Sequence, residues 1–273
     1  MDERRFAMSA VVTRQTSSQS RSHAIEVLGT FALFVMLFVM LCAALLHEYL
    51  YGAALDRFSS LRWSDDGRVN ALFSAAREGR SARVASLLTR GVDVNGRDFA
   101  DQTPLMRAAA AGHAEVCARL IDHGADLNAS TWVGFNALML AVTADDERIV
   151  LLLLSRGGAV DAPTPNGRTA LMTACVRGNA RLAALLIEAG ADVNAVSKAG
   201  VTPIIDATAP GSDQMPALVR LLVESGADVN AADRDGTTAL MEASQWDSPE
   251  TLELLLAAGA RRELGSVAVR HHR

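Results

Sequence analysis

Glycine recurs along most of this chain at a step that no single globular core imposes. Gly91, Gly124, Gly157, Gly190, Gly226 and Gly259 are separated by 33, 33, 33, 36 and 33 residues. Asn95, Asn128, Asp161, Asn194 and Asn230 keep the same steps, as do Asn70, Thr103, Asn136, Thr169, Thr202 and Thr238. Three registers in phase over one stretch define tandem units that fold alike. Such units stack on their neighbours instead of collapsing around one centre.

Each register has a local physical meaning. The Thr/Asn position precedes short apolar runs (ALF, PLM, ALM, ALM, PII and ALM), and its side-chain oxygen suits the orphan amides of a helix's first turn. Pro104 and Pro203 fall at the first helical position, where a missing N–H costs nothing. A second helix follows in VASLLTR, VCARLID, IVLLLLS, LAALLIE, LVRLLVE and TLELLLA. Each of these ends at a register glycine, which can take the left-handed conformation that closes a helix. The Val-Asn or Val-Asp step beyond it suits an extended turn with side-chain-to-backbone hydrogen bonds. The expected unit is a turn plus two short antiparallel helices. The expected fold is an all-α repeat solenoid of six such units over residues 65–265.

The stretch from Gln102-Thr103-Pro104-Leu105-Met106 to Gly124-Ala125-Asp126-Leu127-Asn128-Ala129, with Gly112-His113 between the helices, closely resembles the ankyrin repeat. Gly190-Ala191-Asp192-Val193-Asn194-Ala195 and Gly226-Ala227-Asp228-Val229-Asn230-Ala231 resemble it again. The resemblance implies a hairpin finger between units and protein partners bound along a groove of fingers and first helices. One departure is systematic. Where the family has His after Thr-Pro-Leu, this chain has Phe73, Met106, Met139, Met172, Ile205 and Met241, so packing is expected to replace a polar bridge. The first and last units are expected to act as caps. Three residues are gained in the fifth unit around Ala209–Gln214, between its helices.

Ahead of the array lies one other constraining segment. Val27 to Leu46 is 20 residues without a charge, enough at about 1.5 Å per residue for a helix to cross roughly 30 Å of hydrocarbon. The run is longer than the apolar region of a signal peptide, about 7–15 residues. The segmentation is therefore an N-terminal tail (1–24), a transmembrane helix (25–46), a linker (47–64), the array (65–265) and a basic tail (266–273). Arg4, Arg5, Arg14 and Arg21 precede the span, and only Arg57 and Arg62 lie in the 20 residues after it. That bias favours a cytoplasmic N-terminus and an exported, periplasmic array at an inner membrane. Export with cleavage near Gly52-Ala53-Ala54, releasing a soluble secreted or effector protein, is the alternative. Of 26 cations, 25 are Arg and one is Lys198, a bias that suggests a GC-rich bacterial genome.

Chemistry is thin. His113 sits at the Gly-His step, His47-Glu48 at the membrane edge and His271-His272 in the basic tail, so no catalytic set, cofactor or metal site is expected. Cys117 and Cys175 fall two repeats apart, beyond a disulfide's reach. A net charge of −5 and the lack of a basic stripe argue against nucleic acid. What the array offers is surface. Three of its five aromatics lie on two adjacent fingers, Phe99 in one and Trp132 with Phe135 in the next. Exposed rings of this type dominate interface energy. The expected protein-binding site is Phe99, Trp132 and Phe135, with Asp101 and Arg168 as polar rim, and Trp246 is expected as cap packing.

Overall fold

The computed structural model describes residues 67–208, 215–245 and 248–261. The proposed span, both tails, the whole linker, the inserted residues 209–214 and Trp246 lie outside them. Among the described residues no helix is long and apolar enough to cross a membrane.

Twelve helices run through the described residues, two per unit. The first helices are α1 (Gly67–Arg77), α3 (Pro104–Ala110), α5 (Ala137–Thr143), α7 (Ala170–Val176), α9 (Pro203–Ala207) and α11 (Ala239–Gln245). The second helices are α2 (Ser81–Leu88), α4 (Ala114–Asp122), α6 (Glu147–Ser155), α8 (Ala180–Glu188), α10 (Met215–Glu224) and α12 (Pro249–Ala257). Within each unit the two pair with each other, and across units first helices stack on first helices and second on second. The extra residues of the fifth unit fall between α9 and α10, not in a finger. Among the described residues, strand-like pairing is confined to single bridges, Ser130 with Asn136 and Ala232 with Thr238.

The helices form for the reasons their sequences give. Helices of 5 to 11 residues are too short to be stable alone. Capping and burial hold them. Thr103, Asn136, Thr169 and Thr238 accept from the amide three residues on, at 3.3, 2.8, 3.4 and 3.4 Å. Two of six expected caps differ. Asn70 lies inside α1, which starts three residues earlier at Gly67. Thr202 holds the cap position of α9, but its buried hydroxyl finds no partner. The core is the Ala/Leu seam, in which Leu72, Leu105, Leu120, Leu153, Leu171 and Leu186 are fully enclosed. Each contributes about 1.5–3 kcal/mol by leaving water.

Polar ties between units repeat in phase with the chain. The register Asn residues bridge forward: Asn95, Asn194 and Asn230 each donate to the closing glycine carbonyl of the next unit (Gly124, Gly226 and Gly259) and accept from an amide two residues past it. Asp93, Asp126, Asp192 and Asp228 make the local turn instead, accepting from the amide two residues on. On the second helices, Arg156–Asp122 and Arg181–Glu147 ion pairs join adjacent units at 2.7 and 2.8 Å. His113 also ties units. It stands at the N-cap of α4 without capping it, and its Nε2–H donates to the Arg77 carbonyl of the preceding unit at 2.9 Å.

The filler positions are buried as expected, with one exception: Met241 of the last unit is 36% exposed. It borders an open depression of about 530 Å³ with Leu240, Leu252 and Leu256. The same depression is also lined by the polar Ser244, Glu253 and Arg261. Packing is also not all these methionines do: the Sδ of Met106 and Met241 accepts the Thr103 and Thr238 amides at 3.5 and 3.4 Å.

Candidate partner-binding face

Five fingers project between units, each closed by the same small set of bonds. In the second, Thr131 donates its amide to the Phe135 carbonyl at 2.9 Å and Gly134 donates to the Thr131 carbonyl at 2.8 Å. The Thr131 hydroxyl accepts the Phe135 amide at 3.1 Å. Thr164, Ser197 and Asp233 organise the third to fifth fingers in the same way, and Asp98 the first. The turn requires left-handed backbone at its fourth residue. Glycine supplies it at 134, 167, 200 and 236, whereas the first finger uses Asp101, with φ of 61°.

Equivalent tip positions run Phe99, Trp132, Pro165, Lys198 and Arg234. Trp132 is 75% exposed, Phe99 40% and Val133, beside Trp132, 38%. Trp132 therefore stands in solvent, whereas Phe99 is covered over more than half of its surface. The other candidates sit differently. Phe135 is half-buried at the foot of its finger and packs against the core, so it supports the tip instead of standing on it. Asp101 is half-exposed and pairs with Arg97 at 3.0 Å. The same guanidinium reaches across to the Ser130 carbonyl at 2.8 Å, tying the first finger to the second.

Arg168 does not stand free as a rim residue. It reaches from the foot of the third finger to Asp206 on α9, at 2.9 Å. Asp206 is buried, and burial pushes its carboxyl up to about 6, with Arg168 pulling the other way. A second buried carboxylate, Asp98, is fully served. It accepts Arg107 Nε and Nη2 at 2.8 and 2.5 Å, and its other oxygen takes the Ala100 and Gln102 amides.

Neither buried ion pair was found by sequence reasoning, although a signal existed. Asp206 occupies the place held by Arg107, Leu140, Thr173 and Glu242 in other units, so it departs from its own register. Both described cysteines are free and buried. Burial raises each thiol, that of Cys117 to about 12, which leaves them unreactive at neutral pH. Among the described residues no three His, Cys, Asp or Glu side chains group as metal ligands.

Stacked helix pairs, forward-bridging Asn residues and projecting fingers define a tandem-repeat binding array. The chain belongs to the ankyrin repeat family. The family model for ankyrin repeats (three copies) matches residues 40–131, 72–163, 138–233 and 184–264. A crystal structure of an ankyrin repeat domain from Acinetobacter baumannii is 31% identical, with a TM-score of 0.65 over 70% of this chain and 98% of that one. The human ASB11 ankyrin repeat domain is 25% identical, with a TM-score of 0.63 over 70% of this chain and 85% of that one. No curated protein matches the chain. Ankyrin repeat domains are generally non-catalytic modules of protein–protein interaction.

Proposed function

We propose that this chain is a non-enzymatic scaffold of a bacterial inner membrane, which docks a protein partner on its first fingers. The observation that carries the reading is Trp132, 75% exposed on one tip with Phe99 exposed on the equivalent position of the neighbouring tip. Turn tips are ordinarily polar, and a rigid aromatic side chain gives large contact area at low entropic cost. Phe135 braces this pair from below, and the Asp101–Arg97 pair borders it. Arg168 serves by fixing the third finger to the fifth unit through Asp206.

The run Val27–Leu46 holds the array to the membrane in this reading, with the N-terminus in the cytoplasm and the fingers in the periplasm. A C-terminal alkaline phosphatase fusion tests the orientation, with activity expected. An inactive but expressed fusion reverses it, and a mature chain beginning near Ala54 makes the segment an export signal.

The docking claim is tested by partner capture from membranes. The double variant Phe99→Ala with Trp132→Ala is expected to lose at least tenfold in capture with at most a small fall in melting temperature, since Trp132 is largely exposed and Phe99 partly so. Unchanged capture sinks the site. Asp101→Gly keeps the left-handed turn and removes only the carboxylate, so it reports whether the rim contributes separately.

A further inference from the structure

The tip row changes character along the array, and the change specifies what can lie on it. Phe99, Trp132 and Pro165 are apolar, whereas Lys198 and Arg234 are cationic. The two ends also differ in how the fingers are joined. Lys198 donates its amide to the Asn166 carbonyl at 2.8 Å, and Arg234 donates to the Ala199 carbonyl at 2.9 Å. Those bonds lock the third, fourth and fifth tips together. The equivalent bond between the second and third is impossible, because Pro165 has no N–H. The first tip reaches the second through the Arg97 side chain.

Charge on this face is otherwise neutralised in place. Arg97 pairs with Asp101, Arg107 with Asp98 and Arg168 with Asp206. Lys198 is exposed and has no acidic partner among the described residues. Arg234 is also exposed, but Asp233 and Asp235 flank it on the same finger, so the fifth finger carries a net negative charge. The row therefore pairs one apolar tip cluster with one exposed, backbone-anchored cation, Lys198, that has no ion-pair partner among the described residues, two fingers away.

We propose, building on the docking role above, that the partner is a protein presenting an extended segment with an apolar or aromatic anchor and, about six residues along, a carboxylate. The anchor lies across Phe99, Trp132 and Val133, and the carboxylate meets Lys198. The spacing follows from the array: adjacent helical layers are about 8–10 Å apart, and extended chain covers about 3.3 Å per residue. Two layers thus take about six residues. The exposed aromatic end receives the anchor, and the backbone-anchored cationic end sets the register.

The experiment is selection of random 12-residue peptides displayed on phage against the full-length protein in detergent micelles, followed by affinity measurement with synthetic copies. Selected peptides are expected to carry an apolar side chain and Asp or Glu five to seven residues apart. Lys198→Glu should weaken them at least tenfold, with affinity recovered when the peptide acid is changed to Lys. Binding that falls with Trp132→Ala but is indifferent to Lys198→Glu overturns this inference and leaves the docking role standing. Binding indifferent to both, or no selected peptide, overturns both. Blue-shifted tryptophan emission on phosphatidylglycerol vesicles, lost in Trp132→Ala, assigns the tips to lipid and also overturns it.

Discussion

Asp206 shows how much one residue can depart from its register. The carboxyl lies where other units place Arg107, Leu140 or Thr173, and Arg168 compensates only part of the cost of enclosing it. Its pKa rises from the ordinary 3.8 to about 6, so the folded state holds the proton more tightly than the unfolded one. Stability contributed by the protonated form is therefore lost as pH rises from about 4 to about 6, and the loss amounts to on the order of 3 kcal/mol. Asp206→Asn removes this dependence. The melting temperature of the wild type relative to Asp206→Asn is expected to fall between pH 4 and pH 6 and to level off above. A flat difference across that interval would show the carboxylate to be charged throughout. Asp101 and Asp145 depart in another way, taking left-handed backbone where equivalent positions are glycine. Each uses its side chain: Asp101 binds Arg97, and Asp145 accepts from Asn179 of the next unit.

At the scale of the element, helix length and capping make each unit, but Asn bridges join them. Asn95, Asn194 and Asn230 both accept from and donate to the following unit. Asp161 occupies the same register and only accepts, from the Asp192 amide at 3.1 Å. A carboxylate has no hydrogen to give, so the Gly190 carbonyl lacks the bond that the Gly124, Gly226 and Gly259 carbonyls receive. Asn128 also accepts, from the Ala159 amide at 2.8 Å. Asp161→Asn is expected to stabilise the array by about 0.5–1.5 kcal/mol. Chemical denaturation at unchanged slope checks it, and a loss of stability would show that the bridge does not form. These elements were largely readable in the residues, because caps, prolines and closing glycines act within a few positions of themselves. Asn70 misled because a cap needs extended backbone ahead of it, which the fingers supply in later units. The site was legible only in part. Trp132 and Phe99 stood out by composition, but the Arg168–Asp206 pair spans 38 residues and one unit boundary. No local pattern encodes such a contact, and the half-burial of Phe135 likewise depends on the neighbours its finger leans on.

At the scale of the whole array, the described helices pack within their own unit and on the neighbouring units, so stability is a sum of unit and interface terms. Gly134 marks one interface with no slack. Its φ is +84°, and a Cβ there would stand 2.2 Å from Pro165 Cδ and 2.7 Å from the Thr164 Cα. The second and third fingers are therefore seated directly on each other. The opposite case is the last described unit, where Met241 is 36% exposed and Leu240, Leu252 and Leu256 border an open depression. A unit with one interface recovers less of its folding entropy than one with two. α5–α8 have neighbours on both sides and the Asp122–Arg156 and Glu147–Arg181 pairs across their seams. Opening should therefore begin at the C-terminal end and proceed inward. Hydrogen exchange read by mass spectrometry is expected to show amides of α11 and α12 exchanging at least tenfold faster than those of α5–α8. Equal protection across all the helices would mean that the array opens as one cooperative block, with interfaces strong enough to make the exposed end face irrelevant.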